Sequence, residues 1–221
     1  IPDECEPDCN GNDIPDECDI NDDNSLDCNS NGIPDMCEGL TDWDANGVAD
    51  ICEGLVAYNA SQGTGHAHID DAIADSDDGD TVWVQADHVN GMSDLEYHNA
   101  AIDIMVLGGD ADGFSTNMAN GARLHGGDFA ALDSVRSGTD GTASIGANAG
   151  LSSNFAMVYR DASLDFEAPT VSLSDVLLRT GSELGINSDA ASVSGMMTCA
   201  DGSAVFSDDL LIASSAELVG T

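Results

Sequence analysis

Oxygen-bearing side chains recur at fixed intervals near the start of the chain. Three segments align without gaps, DCNGNDIPDECD at 8–19, DCNSNGIPDMCE at 27–38 and DWDANGVADICE at 42–53, and the opening IPDECE repeats their second half. Numbered from its first aspartate, each twelve-residue unit carries an oxygen donor at positions 1, 3, 5, 9 and 12. These are Asp8, Asn10, Asn12, Asp16 and Asp19, then Asp27, Asn29, Asn31, Asp35 and Glu38, then Asp42, Asp44, Asn46, Asp50 and Glu53. Position 7 is Ile14, Ile33 or Val48 and offers its backbone carbonyl. A hard cation that takes six to eight oxygens matches this donor set, and calcium is the expected ion. Position 6 needs a sharp turn with positive φ, which Gly32 and Gly47 suit and Asp13 tolerates. Solvated acidic turns are the plainer alternative, but three aligned repetitions of five donors argue against them.

These units are not ordinary EF-hands. Pro15 and Pro34 stand at position 8, and only residues 20–26 and 39–41 separate successive loops, too few for paired helices. Asp19 also opens a run through Asn21, Asp23 and Asp27 to Ser30, an expected fourth site, giving three to four ions for residues 1–53. Six of the seven cysteines, Cys5, Cys9, Cys18, Cys28, Cys37 and Cys52, fall in the same segment and read as a disulfide framework formed in an oxidising compartment. Zinc is the competing reading, weakened by the absence of any CxxC pair.

Residues 1–53 resemble the thrombospondin type 3 repeat family and related acidic repeats of the form DCNGNGIPDEC. The resemblance implies a compact ribbon wound around a row of calcium ions, with disulfides joining the end of one repeat to the start of the next. Carried onto this chain, the implied pairs are Cys5 with Cys9, Cys18 with Cys28, and Cys37 with Cys52. The third unit departs from the pattern, with Trp43 where a cysteine is expected.

Charge narrows the partners. The 221 residues carry 42 carboxylates against four arginines and no lysine, a formal charge of −38. Residues 1–122 hold 29 of those carboxylates and no basic residue, so bound cations are the physical remedy. Nucleic acid, anionic lipid and anionic polysaccharide are repelled. No apolar run approaches the roughly 20 residues of a membrane helix. The start inside a repeat unit fits a processed or longer parent chain, placed outside the cell, secreted or at its surface.

Beyond residue 54 the cysteines stop and Ala, Ser and Gly rise. Residues 54–65 read as a linker or first edge, and 66–221 as a second domain. Ile69, Ala72 and Ile73 mark one face of a short helix. Strands are expected at 81–84, 102–107, 122–125, 155–159, 170–173, 176–178, 204–206 and 210–213. Gly181-Ser182 returns as Gly202-Ser203, followed by Ser188-Asp189 and Ser207-Asp208, a recurrence near 21 residues. IDDAIAD, GDTVWV and AIDIMVLGG resemble the opening of right-handed parallel β-helix proteins of the pectate-lyase-like class. That resemblance implies a mainly β fold, a β-solenoid whose open end is covered by a cap helix.

No catalytic set stands out. Arg160 and Arg179 are expected to stack on adjacent coils, and His66, His68, His88, His98 and His125 fit surface or packing roles. Cys199 reads as a buried thiol. Asn59-Ala60-Ser61 is a lone glycosylation sequon. The expected function is a secreted, calcium-stabilised structural or surface-adhesion protein that self-associates or belongs to a filament. A β-helical carbohydrate-active enzyme or binding module for neutral carbohydrate is the alternative.

Overall fold

The computed structural model describes residues 7–21, 26–90, 94–96, 101–137, 141–207, 210–212 and 217–220, so Cys5 and Asp23 lie outside it. Helices α1 (Asp16–Asn21), α2 (Asp35–Glu38) and α3 (Asp50–Glu53) each follow one acidic loop. A hairpin of Ala57–Asn59 and Thr64–His66 comes next, then α4 (Ile69–Ala74), and the rest is a parallel β-solenoid of about six turns. One short helix, α5 (Ala86–Val89), interrupts its first turn.

The coil length is written in the strand register. Thr81 pairs Asp103, Asp103 pairs Arg123, Arg123 pairs Ser144, Ser144 pairs Asp165 and Asp165 pairs Gly185, steps of 20 to 22 residues. The anticipated recurrence near 21 residues is this register. Gly181 and Gly202 turn successive coils at φ 73° and 74°, and each following serine hydroxyl closes its turn by donating to a carbonyl at 2.6 Å, Ser182 to Arg179 and Ser203 to Ala200. Ser188 falls out of phase, because the partner of Ser207 is Ile186. Arg160 and Arg179 also miss each other: Val158 pairs Leu178, which puts Arg179 level with Tyr159.

Alternation on the first sheet sends one row inward. Val82, Ile104, Leu124, Ile145, Phe166 and Ile186 are consecutive partners, none more than 5 % exposed. Removing such apolar area from water stabilises a coil by roughly 25 cal/mol per Å². The second sheet contains three nine-residue strands, Phe129–Ser137, Gly150–Val158 and Thr170–Leu178. Their inward residues shift phase midway: Ala130 and Leu132 are buried, then Val135 and Ser137. A bend at this corner explains why 170–173 and 176–178 read as two strands from a period of two, whereas they form one.

Residues 54–65 prove to be an edge as well as a connection. Ala57–Asn59 pairs antiparallel with Thr81–Gln85 and extends the first sheet at its leading end. Helix α4 packs beside this hairpin with Ile69, Ala72 and Ile73 buried, the face anticipated from spacing. Asn59, in the sequon, is fully buried; its amide donates to Ser76 Oγ (3.0 Å) and Asp80 Oδ2 (2.9 Å) and its oxygen accepts from the backbone of Ser61 and Gln62. It is a turn-forming residue inside the cap and presents no amide to a glycosylating enzyme.

Candidate metal loops and their junction with the solenoid

The three loops share one wiring, set by short polar side chains that accept local backbone N–H groups. At position 1, Asp8, Asp27 and Asp42 accept from the backbone of position 5 with Oδ1 (3.1–3.2 Å) and of position 6 with Oδ2 (2.9–3.0 Å). The position-3 oxygens of Asn10, Asn29 and Asp44 accept from the backbone of position 5 at 3.0–3.1 Å. Those of Asn12, Asn31 and Asn46 at position 5 accept from Ile14, Ile33 and Val48 at 2.7–2.8 Å. Position 6 has the required left-handed backbone, at φ 67° for Asp13, 85° for Gly32 and 86° for Gly47.

Position 12 closes each cluster. Asp19 Oδ2 accepts from the Asn10 and Asn12 amides, both at 2.8 Å. Glu38 accepts from Asn29 with Oε2 (3.0 Å) and from Asn31 with Oε1 (2.5 Å), and Glu53 Oε1 accepts from Asn46 (3.0 Å). Positions 1, 3, 5 and 12 are thus brought together in all three units, with position 7 tied to the same loop. Each amide oxygen retains a second lone pair for a cation. The Asp19 carboxylate is fully buried and its Oδ1 has no hydrogen-bond partner among the described residues. Burying an ionised oxygen without a partner is costly, and a cation beside it offsets that cost. The residues therefore fit a calcium ion on chemistry and on this orphaned atom.

Position 9 is placed elsewhere. Asp16, Asp35 and Asp50 are buried, and their carboxylates accept from the backbone of Cys9 (2.9 Å), Cys28 (3.0 Å) and Trp43 (3.2 Å), the residues at position 2. Their own N–H groups donate to Pro7, Leu26 and Thr41, one residue ahead of each loop. Position 9 thus joins the start of the loop to the helix, and Oδ2 of Asp50 is left buried without a hydrogen-bond partner among the described residues. The prolines at position 8 obstruct nothing, since a helix beginning at position 9 does not use the proline nitrogen. Gly39 and Gly54 end α2 and α3 in left-handed geometry. Asn21, anticipated in a fourth site, closes α1, and Asp23 of that site lies outside the described residues.

The disulfides correct the implied pairing. Cys9 is bonded to Cys37 and Cys28 to Cys52, with Cα atoms 5.9 and 5.2 Å apart, while Cys18 is an exposed free thiol. The rule is position 2 of one unit to position 11 of the next, so each bridge crosses a whole repeat. The implied pair of Cys18 with Cys28 does not form, since Cys28 is bonded to Cys52. Asp16 and Asp35 lie beside these bridges, whose sulfurs are committed to each other and so are not thiolate ligands for zinc. Trp43 occupies position 2 where no fourth unit follows. Its ring lies 6.0 Å from Tyr58 on the hairpin, and Tyr58 lies 5.9 Å from Trp83 on the first coil. Gln85 Nε2 donates to Thr41 Oγ1 (3.2 Å) across the same junction.

Another polar cluster, not anticipated from spacing, lies on the outer face of the first sheet. Asp103, Met105, Arg123, His125, Gly146 and Glu167 line an open depression of about 350 Å³, and Arg123 reaches Glu167 at 3.8 Å across the coil between them. Only the 20 to 22 residue register brings them together. His66, by contrast, is engaged at the cap, 3.2 Å from Thr64 Oγ1 and 3.9 Å from Asp75. Cys199 is a free thiol, partly buried against the core.

In comparisons with known proteins, no family model, no curated protein and no solved structure matches this chain.

Proposed function

We propose that this is a secreted, calcium-stabilised structural or surface-adhesion protein in which a calcium-wound, disulfide-laced ribbon is carried on a β-solenoid. The observation that carries this reading is the threefold convergence of positions 1, 3, 5 and 12, with the buried, partnerless oxygen of Asp19 at one of the clusters. When bound, calcium would supply the positive charge that residues 1–53, with 17 carboxylates and no basic side chain, lack. Asp8, Asn10, Asn12 and Asp19 would hold it in the first unit, with their counterparts and the position-7 carbonyls of Ile14, Ile33 and Val48. The disulfides support an oxidising, extracellular location. Chelation tests the reading. Stripping calcium is expected to open residues 8–53 to protease and alter circular dichroism while the solenoid persists; unchanged patterns would overturn it.

A second reading, a site for neutral carbohydrate, is favoured by the depression at Arg123 and Glu167. Calorimetry with neutral oligosaccharides decides it: heat that disappears in Arg123→Ala supports that reading, and no heat with any of them removes it.

A further inference from the structure

We propose that the ribbon carries a docking groove for a basic amphipathic segment of a partner protein, whose apolar face lies against Leu26, Met36, Leu40 and Ile51. Large apolar side chains exposed singly are ordinary, but gathered along a groove they mark an interaction surface. Five of the eight exposed among the described residues, Ile14, Leu26, Ile33, Met36 and Ile51, lie on the ribbon, although the solenoid is the longer part. Met36 is 70 % exposed and Ile51 50 %. Two depressions give this surface its shape. One of about 370 Å³ is lined by Leu26, Met36, Gly39 and Leu40 together with Asp42 and Ala49 of the next unit. The other, about 540 Å³, is lined by Thr41, Ile51, Gly54 and Leu55 together with Val56, Gln85 and His88, so the solenoid end takes the place of a following unit. These are the same positions one repeat apart, since Leu26 corresponds to Thr41, Met36 to Ile51, Gly39 to Gly54 and Leu40 to Leu55. Gly39 and Leu40 line both depressions, which therefore share a wall. The first unit has an exposed carboxylate, Glu17, where Met36 and Ile51 stand, so the apolar groove belongs to the second and third units.

Charge selects the occupant. Residues 1–122 have no lysine or arginine, and residues 1–53 carry 17 carboxylates. Three calcium ions, as proposed, would offset six of those 17 charges and leave eleven negative. A second copy of this chain would bring the same sign against the groove, and so would an anionic membrane. A segment with leucine-like residues on one face and lysine or arginine on the other matches both features. Its apolar face supplies affinity in the groove, and its charge speeds and selects the encounter. The proposal goes beyond the calcium reading and does not require it.

The probe is a synthetic peptide of leucine and lysine with its leucines on one helical face, titrated calorimetrically into the full chain in millimolar calcium. Oligolysine of equal charge and a leucine–glutamate counterpart are the comparisons. One equivalent of the leucine–lysine peptide is expected to bind, oligolysine on the order of tenfold more weakly, and the glutamate peptide not at all. Met36→Ser and Ile51→Ser should each weaken the leucine–lysine peptide on the order of tenfold. Phe129→Ser, at an exposed site on the solenoid, should leave it unchanged. Oligolysine bound as tightly as the amphipathic peptide, or binding indifferent to both ribbon variants, overturns the groove. Sedimentation showing dimers that Ile51→Ser dissolves would identify the occupant as a second copy and overturn it too. Calcium titration of the same samples keeps the two readings apart: variants that retain their calcium heat and lose the peptide bear on the groove alone, and peptide binding without any calcium heat leaves the groove standing by itself. If a variant loses the ribbon fold, the peptide comparisons on the wild type decide.

Discussion

Asp165 stands in the outward row of the first sheet, between Ser144 and Gly185 and close to Glu167 and Glu183. Burial, and then those two carboxylates, hold its carboxyl above the usual range. A raised folded pKa means that the native state binds the proton more readily than the unfolded chain. The stability it contributes is present below the ordinary aspartate value near 3.8 and is lost as pH rises through the raised one. Asp165→Asn should therefore stabilise the protein at neutral pH by on the order of 0.5 kcal/mol after solvent screening, read as a higher melting temperature, with the gain vanishing in acid. At position 6 of the loops the backbone is left-handed, so Gly47→Ala should destabilise the ribbon by about 1–2 kcal/mol and Asp13→Gly should stabilise it slightly, both read by denaturation of the calcium-loaded protein. That turn was legible because glycine marks it. Left-handed geometry at position 4, in Gly11, Ser30 and Ala45, was not, since Ser and Ala carry no such mark.

At the scale of elements, the outcome depended on whether a signal was local. The cap helix face and the strand at Thr81–Gln85 follow from spacing within a few residues, and both were legible. Disulfide connectivity is not local, and six cysteines allow fifteen arrangements. Peptide mapping without reductant should recover Cys9 joined to Cys37 and Cys28 to Cys52, with Cys18 alkylated in the native protein; a Cys18–Cys28 peptide would refute this register. The bracket made by the buried aspartates of position 9 was hidden as well, because one-dimensional spacing does not show which backbone N–H a carboxylate meets. Trp43 breaks the cysteine pattern for a reason visible only in space: it anchors the ribbon to Tyr58. Trp43→Ala should cost about 1–3 kcal/mol of ribbon stability and speed proteolysis of residues 8–53 without lowering the solenoid transition. The depression at Arg123 and Glu167 was likewise hidden, because its residues are one or two coils apart in sequence.

For the whole molecule, net charge dominates association. Two copies at −38 repel strongly at low salt, and cations held by the loops, as proposed, would reduce that field. Light scattering is expected to show calcium-dependent assembly, and a monodisperse monomer with and without millimolar calcium would count against self-association. The two bridges of the ribbon carry a further consequence. Cys28 lies inside the span closed by Cys9 and Cys37, and Cys37 lies inside the span closed by Cys28 and Cys52, so the two covalent rings interleave. A protease that severs any one peptide bond between residues 9 and 52 leaves both pieces tethered by at least one bridge. Even two cuts among the four bridged cysteines release no fragment that carries one of them. A nicked ribbon should therefore migrate at full length on a gel without reductant and separate into fragments only when reduced. Backbone damage and loss of attachment become separate events, and in the extracellular setting proposed above the crosslinks keep the first from turning into the second.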